Sequence, residues 1–179
     1  PDVVGLPILF GGNLIALEKK SGGIRPIVIG YTWRRIAAKC ANAYATCVLV
    51  SYLSPIQVGV GVSGGCEAAV HASRRFAENM PTTQCIVKLD YVNAFNSLHR
   101  DAMLQAAHAH DNTPGIYKFC HLAYSQSSIL AFGDRTIRSE EGPQQGDPLG
   151  AALFCETIQP MLSSLSSALE IGRSVTWMT

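Results

Sequence analysis

Two short apolar runs, Leu14 to Leu17 and Ile24 to Ile29, flank the polar stretch Lys19-Lys20-Ser21-Gly22-Gly23, a pattern that predicts a β-hairpin with two lysines at its tip. From Thr32 the period lengthens. Ile36, Cys40, Tyr44, Cys47 and Val48 recur at three and four residues, which predicts a helix capped by Thr32 and running to Val50. Pro55 and four glycines punctuate residues 54–65, and a second helix is expected over Glu67 to Asn79, with Ala69, Ala72 and Phe76 on one side and Pro81 closing it. Cys85 to Asp90 is an unbroken apolar run apart from Lys88 and its terminal carboxylate, and reads as a short buried strand. Asp101 to His110 predicts a helix, and Thr113-Pro114 opens another that ends near Tyr124. Ser128 to Phe132 and Thr136 to Ser139 form a second hairpin about Gly133-Asp134-Arg135. Asp147-Pro148 then starts a long helix that turns Leu149, Leu153, Ile158, Leu162, Leu165 and Leu169 toward a core and is kinked at Pro160. Ser174 to Thr179 reads as a final strand.

Composition narrows the class. With 179 residues, 47% apolar types and 15% charged, the chain can bury one core, as a compact domain or part of a larger one. No run of 18 apolar residues and no signal-peptide pattern is present, so a chain without a membrane segment is expected. Cys40, Cys47, Cys66, Cys85, Cys120 and Cys155 lie in apolar segments without C-x-x-C spacing, as buried free thiols of an intracellular, reducing compartment would, nuclear or cytoplasmic. His108 and His110, with His99 in the same segment, are spaced so that a helix points them apart, which argues against a metal site. The net charge of +1 carries no global signature of a nucleic-acid partner. Locally, Lys19, Lys20, Arg25, Arg34, Arg35 and Lys39 face only Asp2 and Glu18, a cluster that either attracts phosphates or is a solvated surface.

Chemistry concentrates in two segments. Asp90 ends an apolar strand pattern, where a carboxylate either caps a turn or meets a cation. Glu141-Gly142-Pro143-Gln144-Gln145-Gly146-Asp147-Pro148-Leu149-Gly150 is a polar, glycine-bearing loop in front of a helix, where backbone amides and an amide side chain can approach a flat ligand. The order of a basic hairpin, a strand ending in aspartate and a Gln-Gly loop before a helix is more specific than any one part.

These segments resemble the reverse transcriptases of non-LTR retroelements over essentially the whole chain. The fingers motif is Lys19-Lys20-Ser21-Gly22-Gly23-Ile24-Arg25-Pro26-Ile27 with Trp33-Arg34-Arg35 behind it; the palm motifs are Lys88 to Asn96 and Gly142 to Leu149. The resemblance implies an α/β (α+β) right-hand polymerase fold, with fingers over residues 1–80 and palm over 81–179, an incomplete antiparallel palm sheet built on Cys85 to Asp90 and the last strand, and helices packed on one face. It implies DNA synthesis from dNTPs on an RNA template and a DNA primer, using two Mg²⁺ (or Mn²⁺) ions about 3.5–4 Å apart. Asp90 and the carbonyl of Tyr91 would hold metal, Phe95 would be the steric gate under the incoming sugar, and Lys20 (or Lys19) with Arg25 would meet the triphosphate. Gln145 and Gly146 would line the nucleotide and template-base pocket. Arg34 and Arg35 would touch template phosphates or form structural ion pairs.

The family's adjacent Asp-Asp has no counterpart in Ile171 to Thr179, where Trp177-Met178 resembles its lead-in, and the thumb is absent. The chain as given is therefore expected not to be a competent polymerase, since one carboxylate holds dications weakly. Two other readings stand beside this one. The first is a remnant that binds nucleic acid without catalysis. The second is a dinucleotide-binding βαβ unit on Gly59-Val60-Gly61-Val62-Ser63-Gly64, although Pro55 breaks its leading strand and Asp90 lies too far along.

Overall fold

The computed structural model describes residues 5–20, 22–109 and 114–168. One helical turn, α1 (Leu6–Leu9), leads into β1 (Gly12–Glu18), and the chain returns as β2 (Ile24–Gly30). The two strands pair antiparallel from Gly12↔Gly30 to Glu18↔Ile24, so the expected hairpin forms. Gly22 and Gly23 both take positive φ in the turn, which the Lys19 N–H closes on the Gly23 carbonyl at 3.0 Å. Residues opposite one another share a face of the ribbon. Val28 is buried on one face, while Ile15, Leu17 and Ile29 stand exposed on the other.

α2 (Thr32–Leu53) follows, with Tyr31 rather than Thr32 at the capping position. Its buried stripe is Arg34, Ala38, Ala45, Leu49 and Leu53, whereas Ile36, Cys40, Tyr44 and Cys47 are exposed. The helix is apolar almost all round, so two faces satisfy the same spacing; the alanine face allows the closer helix contact and takes the core. By length and hydropathy α2 would also suffice to cross a bilayer, yet its Ala45, Leu49 and Leu53 belong to the core shared with the other helices. α3 (Gly65–Asn79) buries Ala69, but Ala72 is exposed and Phe76 only half-buried.

Residues 80–93 form neither helix nor strand. Cys85 to Asp90 is thus not the buried strand its pattern predicts, and Ile86, Val87 and Leu89 are 53%, 72% and 52% exposed. A strand needs a neighbour for its backbone groups. Among the described residues none pairs with it, and the final strand expected over Ser174 to Thr179 lies outside them, as do Leu169, His110 and the Thr113 cap. The dinucleotide reading fails on the same ground, because among the described residues no strand leads directly into the Gly59–Gly64 run and none directly follows α3.

A 3-10 turn over Ala94–Ser97 precedes α4 (Arg100–Ala109) and α5 (Pro114–Tyr124), then β3 (Ser128–Phe132), β4 (Arg135–Ser139) and α6 (Gly150–Ala168), which continues through Pro160. The class is α/β, but the sheet is mixed, in the order β2-β1-β3-β4, with β1 and β3 parallel and both hairpins antiparallel. Four of the helices, α2, α4, α5 and α6, with Phe10 from the turn before β1, build the core of Phe10, Leu49, Leu53, Met103, Ile116, Cys120, Tyr124, Leu149 and Leu153. Cys120 and Cys155 are buried, while Cys40, Cys47, Cys66 and Cys85 are exposed, contrary to the expectation of buried thiols.

Candidate active site

The loop between β4 and α6 is held where two glycines permit it. Gly142 has φ +58°, and a Cβ there would collide with the Phe95 carbonyl; Gly146 has φ +110°, and a Cβ there would collide with the Val28 carbonyl. Through that second approach the Val28 N–H donates to the Gln145 carbonyl at 2.6 Å, so the loop covers the outer edge of β2. The Gln145 amide nitrogen donates to Asn96 Oδ1 at 3.1 Å. Phe95 stacks on Phe154 of α6 with centroids 5.2 Å apart, beside Gly150. The segment that carries Phe95 and Asn96 therefore meets the loop that carries Gln145 and Gly146.

Beneath the loop lies a buried polar network. Arg34 pairs with Asp147 at 2.9 Å, their side chains 4% and 1% exposed. The other guanidinium nitrogen, Nη1, donates to the Phe10 carbonyl at 2.6 Å, to Gln144 Oε1 at 2.5 Å and to the Gly11 carbonyl at 3.3 Å. Gln144 Nε2 donates to Ser128 Oγ at 2.7 Å, and the Tyr124 hydroxyl donates to Asp147 Oδ2 at 2.5 Å. Burial, reinforced by the Asp147 charge, raises the Tyr124 phenol well above its ordinary value, so it stays a donor. Asp147 Oδ1 accepts the Leu149 N–H at 2.9 Å at the entry to α6. Arg34 is thus the structural ion pair of the two alternatives, with its guanidinium engaged inside the domain.

A second arginine holds the other end of the loop. Arg100 donates to the carbonyls of Gly142 at 3.1 Å and Ser139 at 2.8 Å, and to Ser139 Oγ. Sequence reasoning missed Arg100, Tyr124 and Ser128, since nothing local marks them. Asp147 was visible only as a helix cap.

The remaining expected residues are spread out. Lys19 is half-buried and Lys20 and Arg25 are exposed at the far part of the hairpin; among the described residues none of the three side chains is hydrogen-bonded or ion-paired. Arg35 lines a small cleft with Val28, Gly30, Gly146 and Pro148. Asp90 and Tyr91 are exposed on the irregular segment ahead of Phe95. Among the described residues no group of three or more His, Cys, Asp or Glu could hold a metal. The donors present, one carboxylate and one carbonyl, fall short of a two-metal set.

The family model for reverse transcriptase (RNA-dependent DNA polymerase) matches residues 17–177. The chain belongs to the reverse transcriptase family. This reverse transcriptase domain is similar to the retrotransposable element SLACS 132 kDa protein of Trypanosoma brucei gambiense, 28% identical over 147 residues, which cover 79% of the chain and 12% of that protein. Its fold is similar to that of apo telomerase from Candida tropicalis truncated from its C-terminal domain, with a TM-score of 0.59 and 12% identity over 92% of this chain and 40% of that one. The chain thus spans a small part of the first and less than half of the second. Dependence on divalent metal is general in the reverse transcriptase family.

Proposed function

We propose that this domain contributes the nucleotide- and template-handling part of RNA-directed DNA synthesis. The observation that carries the reading is the Gln145-Gly146 loop seated on the edge of β2 and tied through Asn96 and Gly142 to the segment of Phe95, so that a flat base and its sugar would meet an aromatic ring, an amide and bare backbone. Lys20 (or the half-buried Lys19) and Arg25, cations on the same hairpin, meet the triphosphate and offset its charge. Phe95 is the gate under the sugar, and Arg35 is the cation assigned to template phosphate. Asp90 with the Tyr91 carbonyl is the donor pair assigned to Mg²⁺ or Mn²⁺, which in this family supplies charge neutralisation at the reacting phosphate. Residues 1–80 act as fingers and 81–179 as palm. The partners are an RNA template, a DNA primer and dNTP, in an intracellular compartment that keeps the exposed thiols reduced.

The test is primer extension on an RNA template with Mg²⁺ and dNTPs, beside equilibrium binding of the template–primer, for the chain and its Asp90→Asn variant. Extension abolished by Asp90→Asn supports the reading; extension that survives it removes Asp90 from catalysis. The thin donor set favours one second reading, a domain that binds nucleic acid without turnover. Tight binding by both proteins with extension by neither is its expected signature.

A further inference from the structure

We propose that Arg34 is a positioning residue, which fixes both flanks of the Gln145-Gly146 loop from beneath and so presets the nucleotide pocket. This inference rests on the reading of that loop as the pocket wall. Gln144 and Asp147 bracket Gln145 and Gly146 in the chain, and one guanidinium reaches both, at 2.5 Å and 2.9 Å. Its contacts with the Phe10 and Gly11 carbonyls tie that guanidinium to the entry of β1, so loop and sheet share one anchor. Tyr124 steadies Asp147 from the helical side, and Ser128 steadies Gln144 from the sheet side.

The chemistry favours a directional role. A buried ion pair adds little stability over apolar groups of the same volume, because both charges lose their water. What it supplies is geometry, through a planar fork whose donors point in fixed directions. Between the two held residues the backbone has one route open, with Gly146 in a conformation only glycine adopts easily, the Gln145 carbonyl on the Val28 N–H and its side chain on Asn96. Lysine at position 34 would keep the charge but could not span all of these acceptors.

The experiment uses the full chain and its Arg34→Lys and Tyr124→Phe variants, the second of which keeps the buried ring if the first folds poorly. Amide hydrogen exchange is followed at Val28, which donates to the loop, and at Leu153 of α6, which donates to Leu149 just before that helix. Binding is measured with dTTP on chain preloaded with an oligo(rA)–oligo(dT) duplex, and separately with the duplex alone. Loss of a charge-assisted bond predicts about tenfold lower Val28 protection and about tenfold weaker dTTP binding in Arg34→Lys, and about threefold for both in Tyr124→Phe. Leu153 protection and duplex affinity are expected to stay unchanged. Unchanged Val28 protection and dTTP affinity in both variants overturn the proposal, as does an equal fall at Val28 and Leu153, which would make Arg34 an ordinary core residue. Wild-type chain that binds the duplex but no dTTP refutes the pocket reading itself, whatever the variants do, and the positioning role falls with it.

Discussion

At the residue scale, the site contrasts groups that a motif reveals with groups that only the fold reveals. Phe95, Gln145 and Gly146 stand in short segments whose order is specific, and the structure brings those segments together. Arg34 was open to two readings because its carboxylate partner lies 113 residues away. No local pattern encodes such a pairing. Gly146→Ala tests the loop's strain: at φ +110°, with the Val28 carbonyl in the way, it is expected to cost about 1–3 kcal/mol in urea unfolding, as backbone strain at such sites does. A cost near zero would mean that the loop does not rest on β2.

Tyr124 sets a pH dependence whose sign can be worked out. Its folded pKa is raised, so above the ordinary phenol value of about 10 the unfolded chain releases a proton that the folded one keeps. Fewer protons bound in the unfolded state make stability fall with rising pH. Cys120, pushed up to about 12 by burial and then by Glu156 and Asp147, adds a loss with the same sign that begins lower, near the ordinary thiol range. Unfolding free energy is thus expected to be insensitive to these two groups at neutral pH and to decline through the alkaline range. Tyr124→Phe should flatten the part above about pH 10 while leaving the thiol part. An identical alkaline limb in that variant would show that Tyr124 is not the titrating group.

At the element scale, the sequence was most reliable where pairing or periodicity is local. The hairpin β1–β2, the hairpin β3–β4 and all three long helices, α2, α3 and α6, are read correctly from short-range pattern. Two of the departures share one cause, a partner that is distant in sequence. Cys85 to Asp90 has strand composition but no strand beside it among the described residues, and α2 presents two apolar faces between which only its neighbours choose. The face assignment can be checked directly. Leu49 is fully buried and its truncation, Leu49→Ala, is expected to cost about 2–5 kcal/mol through lost contacts and a cavity. Ile36 is 47% exposed and Ile36→Ala should fall within about 0.5 kcal/mol of wild type. Comparable losses from the two, measured by denaturant unfolding, would restore the original face.

At the scale of the whole molecule, one stretch of the surface concentrates exposed apolar side chains. Along residues 85–92 the side chains of Ile86, Val87, Leu89, Tyr91 and Val92 are between 46% and 85% exposed, on backbone that no strand among the described residues pairs. A run of β-prone residues with free backbone groups is a template for pairing with another chain. Concentration-dependent self-association is therefore expected of the isolated chain. Val87→Lys places a charge at the middle of that run, where repulsion and the cost of desolvating an ammonium oppose strand-to-strand contact. Because Val87 is 72% exposed, the substitution should leave thermal unfolding within the small range usual for surface changes. Sedimentation of the two proteins over a concentration series separates the possibilities. A shift toward monomer in Val87→Lys assigns the contact to this segment; association that persists unchanged moves it elsewhere, the exposed Trp33 and Ile36 face of α2 being the next surface to charge.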